Sequence, residues 1–160
     1  YRMTEIQGAI LNVQIKRLDG ILEDLREVKK RFIEELPDAS LVRSNDPEGD
    51  CGVVFAVSFE SEEEARRFAS SPGVGGWLPI DSGRHVYKFW DPIMAKRGAH
   101  HPAMNPYLMP ENKECRMDYS DDMCPRTLDY LSRSVFINLH PDWTDEEIEQ
   151  RIDACRKALS

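Results

Sequence analysis

Four histidines, four cysteines and three tryptophans supply much of what metal binding or catalysis could be built from in this chain, and their spacing is restrictive. Cys51, Cys115, Cys124 and Cys155 stand far apart, with no C-x-x-C pair and no histidine at a zinc-ligand interval, so no metal site is expected. The thiols are expected reduced, with Cys155 on an apolar helix stripe and the others small buried or turn residues. His100 and His101 are adjacent, and in an extended segment adjacent side chains point to opposite sides, away from a common ion. Gly73, Gly75 and Gly76 make a flexible turn, but they neither follow a clear strand nor open a helix, which argues against a phosphate loop. The stretch from Gly73 to Cys124 loses all periodicity and carries Trp77, Tyr87, Phe89, Trp90 and Tyr107 among histidines and arginines. Long irregular stretches inside compact domains are functional or disordered, and this aromatic content favours order. Two readings stay open: a surface for a polar ligand with ring-like faces, or Trp77, Phe89 and Trp90 serving as core.

The elements around this stretch are more legible. Thr4 and Gln7 form a capping box, and Leu11, Ile15, Leu18, Ile21, Leu25, Val28 and Phe32 follow at spacings of three and four. The pattern predicts one long helix over residues 1–36, ended by Pro37 and roughly 48 Å long at about 1.5 Å per residue. That exceeds a small domain's width, so the helix is expected to cross a boundary and pack on something else. A short strand is expected around Leu41 and Val42, and a clear one over Val53–Phe59, whose near-continuous apolar run predicts cover on both faces. Ser61 and Glu64 suggest a second capping box, with Ala65, Phe68 and Ala69 inward and Pro72 and Gly73 closing the helix. RHVYKFW, residues 84–90, fits either a strand or a short helix. Pro125 opens another helix with Leu128 and Leu131 inward, and Val135, Ile137 and Leu139 alternate along a strand. Thr144 and Glu147 cap a last helix whose inner stripe is Ile148, Ile152, Cys155 and Leu159. The expected fold class is α+β: a linking helix over 1–36, then a small C-terminal domain over 37–160 with its sheet covered by helices.

Charge narrows the partners. A net charge of −8, with basic residues interleaved among acidic ones, argues against nucleic acid. The acidic runs Glu62–Glu64 and Asp145–Glu147 read as first turns of helices, where the helix dipole favours negative charge. No apolar run approaches the roughly 20 residues needed to span a bilayer and no signal-peptide pattern opens the chain, so no membrane partner and a cytoplasmic location are expected.

The opening YRMTEIQGAI with the following QIKRLD, and the closing CPRTLDYLSRSVFINLHPDWTDEEIEQRIDACRKAL, resemble corresponding segments of the DegT/StrS family of sugar aminotransferases. The resemblance implies the aspartate-aminotransferase fold, with this chain as its small C-terminal domain behind a large cofactor-binding domain, in a homodimer. Family members hold pyridoxal phosphate as a Schiff base on a lysine and pass an amino group from glutamate or glutamine to a keto-sugar. None of Lys16, Lys29, Lys30, Lys88, Lys96, Lys113 or Lys157 lies in anything like the family's lysine motif, so no catalytic residue is expected here and the chain alone is expected to be inactive. The family's asparagine would precede Tyr1, and Arg2 matches the motif's arginine, a residue implied to approach the cofactor phosphate. A salt bridge from Arg2 to Glu5 or another acid is the structural alternative.

The middle region, RHVYKFWDPIMAKRGAHHPAMNPY, departs from the commoner family pattern and is similar to a subgroup acting on acidic or unusual amino-sugars, such as the octulosonate aminotransferases. On that resemblance Arg84 would pair a substrate carboxylate, His85 would hydrogen-bond the sugar and Trp90 would pack on it, each with a structural role as the alternative. Three further readings compete: a non-catalytic sugar-binding or dimerisation module derived from such an enzyme, one piece of a split enzyme, and a structural α+β domain whose first helix packs on a partner.

Overall fold

The computed structural model describes residues 2–98 and 100–160. The chain begins with helix α1 (Glu5–Gln14), tightens into a 3-10 turn over Ile15–Arg17, and continues as α2 (Leu18–Glu35). The expected capping box forms in full: the Gln7 N–H donates to the Thr4 hydroxyl, and the Thr4 N–H donates to Gln7 Oε1 at 2.9 Å. The helix is thus interrupted rather than single, and its apolar stripe is divided. Leu25, Val28 and Phe32 are buried, Ile21 is half-buried, and Leu11, Ile15 and Leu18 are exposed. No residue of α1 is buried.

Strand β1 (Val54–Ser58) follows, then α3 (Glu62–Ser70), β2 (Gly76–Trp77), α4 (Asp91–Met94), α5 (Pro125–Ser132), β3 (Ser134–Asn138) and α6 (Asp145–Leu159). The three strands form an antiparallel sheet in the order β1-β3-β2, with Phe55 opposite Ile137 and Val57 opposite Val135. Those four side chains share a face because strand residues alternate sides. Helices α2, α3 and α6 cover that face with Phe32, Phe68 and Ile152 among their buried residues. The Phe32 and Phe55 rings meet at 5.2 Å between centroids. Burying one such side chain contributes about 1.5–3 kcal/mol, so this layer holds the domain together.

The expected cover on both faces of β1 is not found. Phe55 and Val57 are buried, whereas Val54, Ala56 and Ser58 on the opposite face are only half-buried. The strand expected at Leu41 and Val42 is reduced to one bridge, Leu41 opposite Val57. Of the Ser61 capping box only the serine half forms, the Glu64 N–H donating to Ser61 Oγ at 3.2 Å. Leu128 and Leu131 of α5 are half-buried rather than core, and Pro125 is its first residue as expected. The Thr144–Glu147 box is complete, and Ile148, Ile152 and Cys155 are buried beneath it. Both acidic runs lie in first turns. Cys51, Cys115 and Cys124 are exposed.

The loop before β1 is clamped to α2. Lys29 Nζ donates to the Asp50 carboxylate at 2.7 Å, Arg26 Nε to the Asp50 carbonyl at 2.8 Å, and the Gly52 N–H back to Asp50 Oδ1 at 2.7 Å. Gly52 has φ +74°, and a Cβ there would lie 2.7 Å from the Leu25 carbonyl carbon, so only glycine permits this approach. Among the described residues no helix is long and apolar enough to cross a membrane.

Candidate functional site

The half-buried face of the sheet carries an aromatic cluster. Trp77 of β2 lies opposite Phe136 of β3, their rings edge-to-face at 5.3 Å, and Trp77 Nε1 donates to Asn138 Oδ1 at 3.2 Å. On the buried face the neighbouring Gly76 lets β2 approach the core closely, because a Cβ there would sit 2.6 Å from Val135 Cγ1. The His85 ring lies against Trp77 at 5.6 Å, tilted by 31°.

His85 is held there by a compact loop. A 3-10 turn over Pro79–Asp81 leads to Ser82, whose Oγ accepts from the backbone N–H of His85 at 3.1 Å. Val86 is buried, and a second 3-10 turn follows over Tyr87–Phe89, the form that residues 84–90 take in place of a strand. Trp90 then folds back, its Nε1 donating to the Arg84 carbonyl at 2.8 Å. Tyr87 fastens the far side: its hydroxyl donates to the Asp121 carbonyl at 2.8 Å and accepts from the Cys124 N–H at 3.2 Å.

Arg84, His85 and Trp90 therefore belong to one closed loop beside Trp77. All three are exposed, Trp90 by 47%, and Phe89 is exposed too, so neither Trp90 nor Phe89 is core. Trp77 is half-buried. Among the described residues the Arg84 guanidinium has no ion-pair or hydrogen-bond partner. Of these side chains only the His85 imidazole and the Trp77 ring are in contact, an aromatic face and a hydrogen-bonding ring side by side.

On the other side of Trp77 opens a cavity of about 560 Å³ that Arg66, Arg67, Asp81 and Ser82 also line. Arg66 is committed, donating to Asp81 at 2.7 and 3.2 Å and to Glu62 at 2.8 Å. Those hydrogen bonds hold the Asp81 carboxyl below its usual range and push the Arg66 guanidinium further up. Arg67 is exposed and, among the described residues, makes no ion pair. It is a cation that the sequence did not single out, and only its place beside Trp77 distinguishes it.

Arg2 lies just ahead of the Thr4 cap, exposed, and among the described residues it pairs with neither Glu5 nor another acid. A pyridoxal phosphate site also needs an available lysine amine. Lys29, the half-buried lysine of the Asp50 clamp, is tied to that carboxylate at 2.7 Å. Lys30 lies 3.9 Å from Glu27, Lys113 lies 3.9 Å from Glu114, and Lys88 rests over the Phe89 ring. Lys16, Lys96 and Lys157 form no ion pair among the described residues. Nor, among them, does any group of three or more histidine, cysteine or acidic side chains converge as a metal site. The imidazole Nδ1 of His101 is occupied in capping, accepting from the Ala103 N–H at 3.2 Å. No known protein-family model matches the chain.

Proposed function

We propose that this chain forms the small C-terminal part of a pyridoxal-phosphate-dependent sugar aminotransferase, in which an amino group passes from glutamate or glutamine to an acidic keto-sugar. The observation that supports it is the loop over residues 84–90, closed by the Trp90 Nε1–Arg84 carbonyl bond, which carries Arg84, His85 and Trp90 exposed and sets the His85 ring against Trp77. In this reading Arg84 pairs the sugar's carboxylate, His85 hydrogen-bonds a hydroxyl and Trp90 packs on the ring face. Arg2 approaches the cofactor phosphate. The reactive lysine comes from a cofactor-bearing domain, and bare α1 docks on that domain or on a second subunit. The cofactor, when bound there, supplies the electron sink of the reaction.

Two measurements test the proposal. The natural polypeptide should exceed twice these 160 residues in length and show a visible cofactor band that glutamate or glutamine bleaches. In that protein Arg84→Ala should raise the KM for an acidic keto-sugar about ten- to a hundredfold, since a charge-assisted hydrogen bond is worth roughly 1.5–3 kcal/mol. The isolated chain with added pyridoxal phosphate should develop no stable visible band. A band that disappears on replacing one lysine would refute the placement of the reactive lysine elsewhere. The second reading, a non-catalytic sugar-binding or dimerisation module, draws on the same bare helix, which a second copy would cover equally well. A natural protein of only 160 residues without a cofactor band would establish that module instead.

A further inference from the structure

A second cavity, of about 770 Å³, lies between α2 and the outer edge of β1, and nothing in the aminotransferase reading uses it. Its wall is apolar: Ile33 of α2, Leu41 and Val42 of the bridging segment, Val53 just ahead of β1, Val54 of β1, and Phe136 of β3. Ile33, Leu41, Val42 and Val53 are all exposed, so the wall is open to solvent. The edge of the sheet is incomplete here. Residues 53, 55, 57 and 59 face β3, as the Leu139 N–H to Val53 carbonyl bond and the Phe59 N–H to Arg133 carbonyl bond require. Residues 54, 56 and 58 face outward. Ser58 N–H donates to the Ser40 carbonyl at 2.7 Å and the Ala56 carbonyl accepts from Val42 N–H at 3.0 Å. The segment then turns away, and among the described residues Val54 N–H and C=O meet no partner on that edge.

The charge of this cavity opposes that of the chain. The net charge is −8, yet Arg26, Lys29, Lys30 and Arg43 line the cavity against only Glu34 and Asp50. Arg26 and Lys29 are consumed by the Asp50 loop, which they clamp. Lys30 has only Glu27 at 3.9 Å, and Arg43, exposed, has no ion pair among the described residues. An apolar wall of this volume, lined by the unpaired Arg43 and by Lys30 with its long 3.9 Å pair to Glu27, and bordered by a Val54 N–H without a partner on the strand edge, is suited to a small amphipathic anion.

We propose that the α2–β1 cavity binds a small-molecule carboxylate with an aliphatic body. Its tail lies against Leu41, Val42, Val54 and Phe136, and its carboxylate meets Arg43 and Lys30. A cation with the same tail is rejected by the same two side chains, which is how charge sets the specificity of the site.

The test uses the full chain with decanoate below its micellar concentration, and decylamine as the cationic control, by calorimetry and amide chemical-shift mapping. Decanoate should saturate with shifts centred on Arg43, Val54 and Ala56, and decylamine should bind at least about tenfold more weakly. Arg43→Glu should weaken decanoate about tenfold or more, as loss of a charge-assisted contact predicts, and Lys30→Glu should weaken it in the same direction. Both residues are exposed on the surface, so far-ultraviolet circular dichroism should be unchanged. Equal affinity for the two amphiphiles, indifference to both charge reversals, or shifts centred on the apolar residues of α1 would overturn the proposal. An Ile6→Ser, Ile10→Ser variant makes the last outcome unambiguous, because decanoate binding should survive it.

Discussion

Replacing Phe32 and Ile10 by alanine, one at a time, separates the half of the helix that builds the fold from the half that does not. Phe32 has 0% exposure and packs on Phe55 at 5.2 Å, whereas Ile10 is 56% exposed on a helix that buries nothing. Phe32→Ala should cost about 3–5 kcal/mol, combining lost transfer energy with the cavity left behind. Each kcal/mol lowers Tm by roughly 2–4 °C at this chain length, so the expected fall is roughly 6–20 °C. Ile10→Ala should change stability by less than about 0.5 kcal/mol, because little surface changes its environment and alanine is the better helix former. Thermal unfolding and urea titration at several protein concentrations measure both. A loss at Ile10 comparable with that at Phe32, independent of concentration, would mean that α1 packs within its own chain and would refute the division. A Tm that rises with concentration and loses that dependence in Ile10→Ala would identify a second copy as the cover.

Three further outcomes follow from the polar and thiol groups. In the native chain Cys51, Cys115 and Cys124 should react with a thiol reagent near neutral pH, and Cys155 only after denaturant, because burial pushes its thiol up to about 11. That raised value favours the neutral thiol, so its contribution to stability is complete below its ordinary value of 9.0 and is lost as pH rises towards about 11. Cys155→Ser, measured across that interval, should flatten the decline. Asp50 runs the other way: the hydrogen bond from Lys29 holds its carboxyl below the ordinary 3.8, so its contribution is present above that value and is lost as pH falls below it. Lys29→Met should bring acid unfolding to higher pH, and an unchanged acid limb would show the clamp to be energetically idle.

The parts of the fold that were legible in the sequence are those fixed within one turn or one strand. The boxes at Thr4–Gln7 and Thr144–Glu147 need only two residues three apart, and both form. The alternation of Val135, Ile137 and Leu139 marks the buried face of β3 in the same local way. Cover for β1 was not legible, because an apolar run at Val53–Val57 does not reveal that Val54 and Ala56 border a cavity. The middle segment hid a simpler rule. Pro79, Pro102, Pro106 and Pro110 each open a 3-10 turn, their fixed φ starting a turn that the next irregular residues do not extend. The loop that gathers Arg84, His85 and Trp90 depends on contacts to Trp77, Asp121 and Cys124, which no local pattern encodes.

Helix α1 shows why the apolar stripe alone was an incomplete guide. Leu11 of α1, with Ile15 and Leu18 beyond it, continues the stripe that Leu25, Val28 and Phe32 bury, but Ile6, Ile10 and Val13 form a second one, at spacings of four and three, on another side of α1. An ordinary surface helix needs cover along one stripe, and α2 receives it from the sheet. Helix α1 needs cover on two sides and receives none from the described residues, with Ile6 exposed by 74%. Ten residues are also too few to hold a helix in water without help, so its persistence rests on the Thr4 cap and on continuity with α2. Both proposed readings supply that cover from outside this chain, the aminotransferase reading from a cofactor-bearing domain or a second subunit and the dimerisation reading from a second copy.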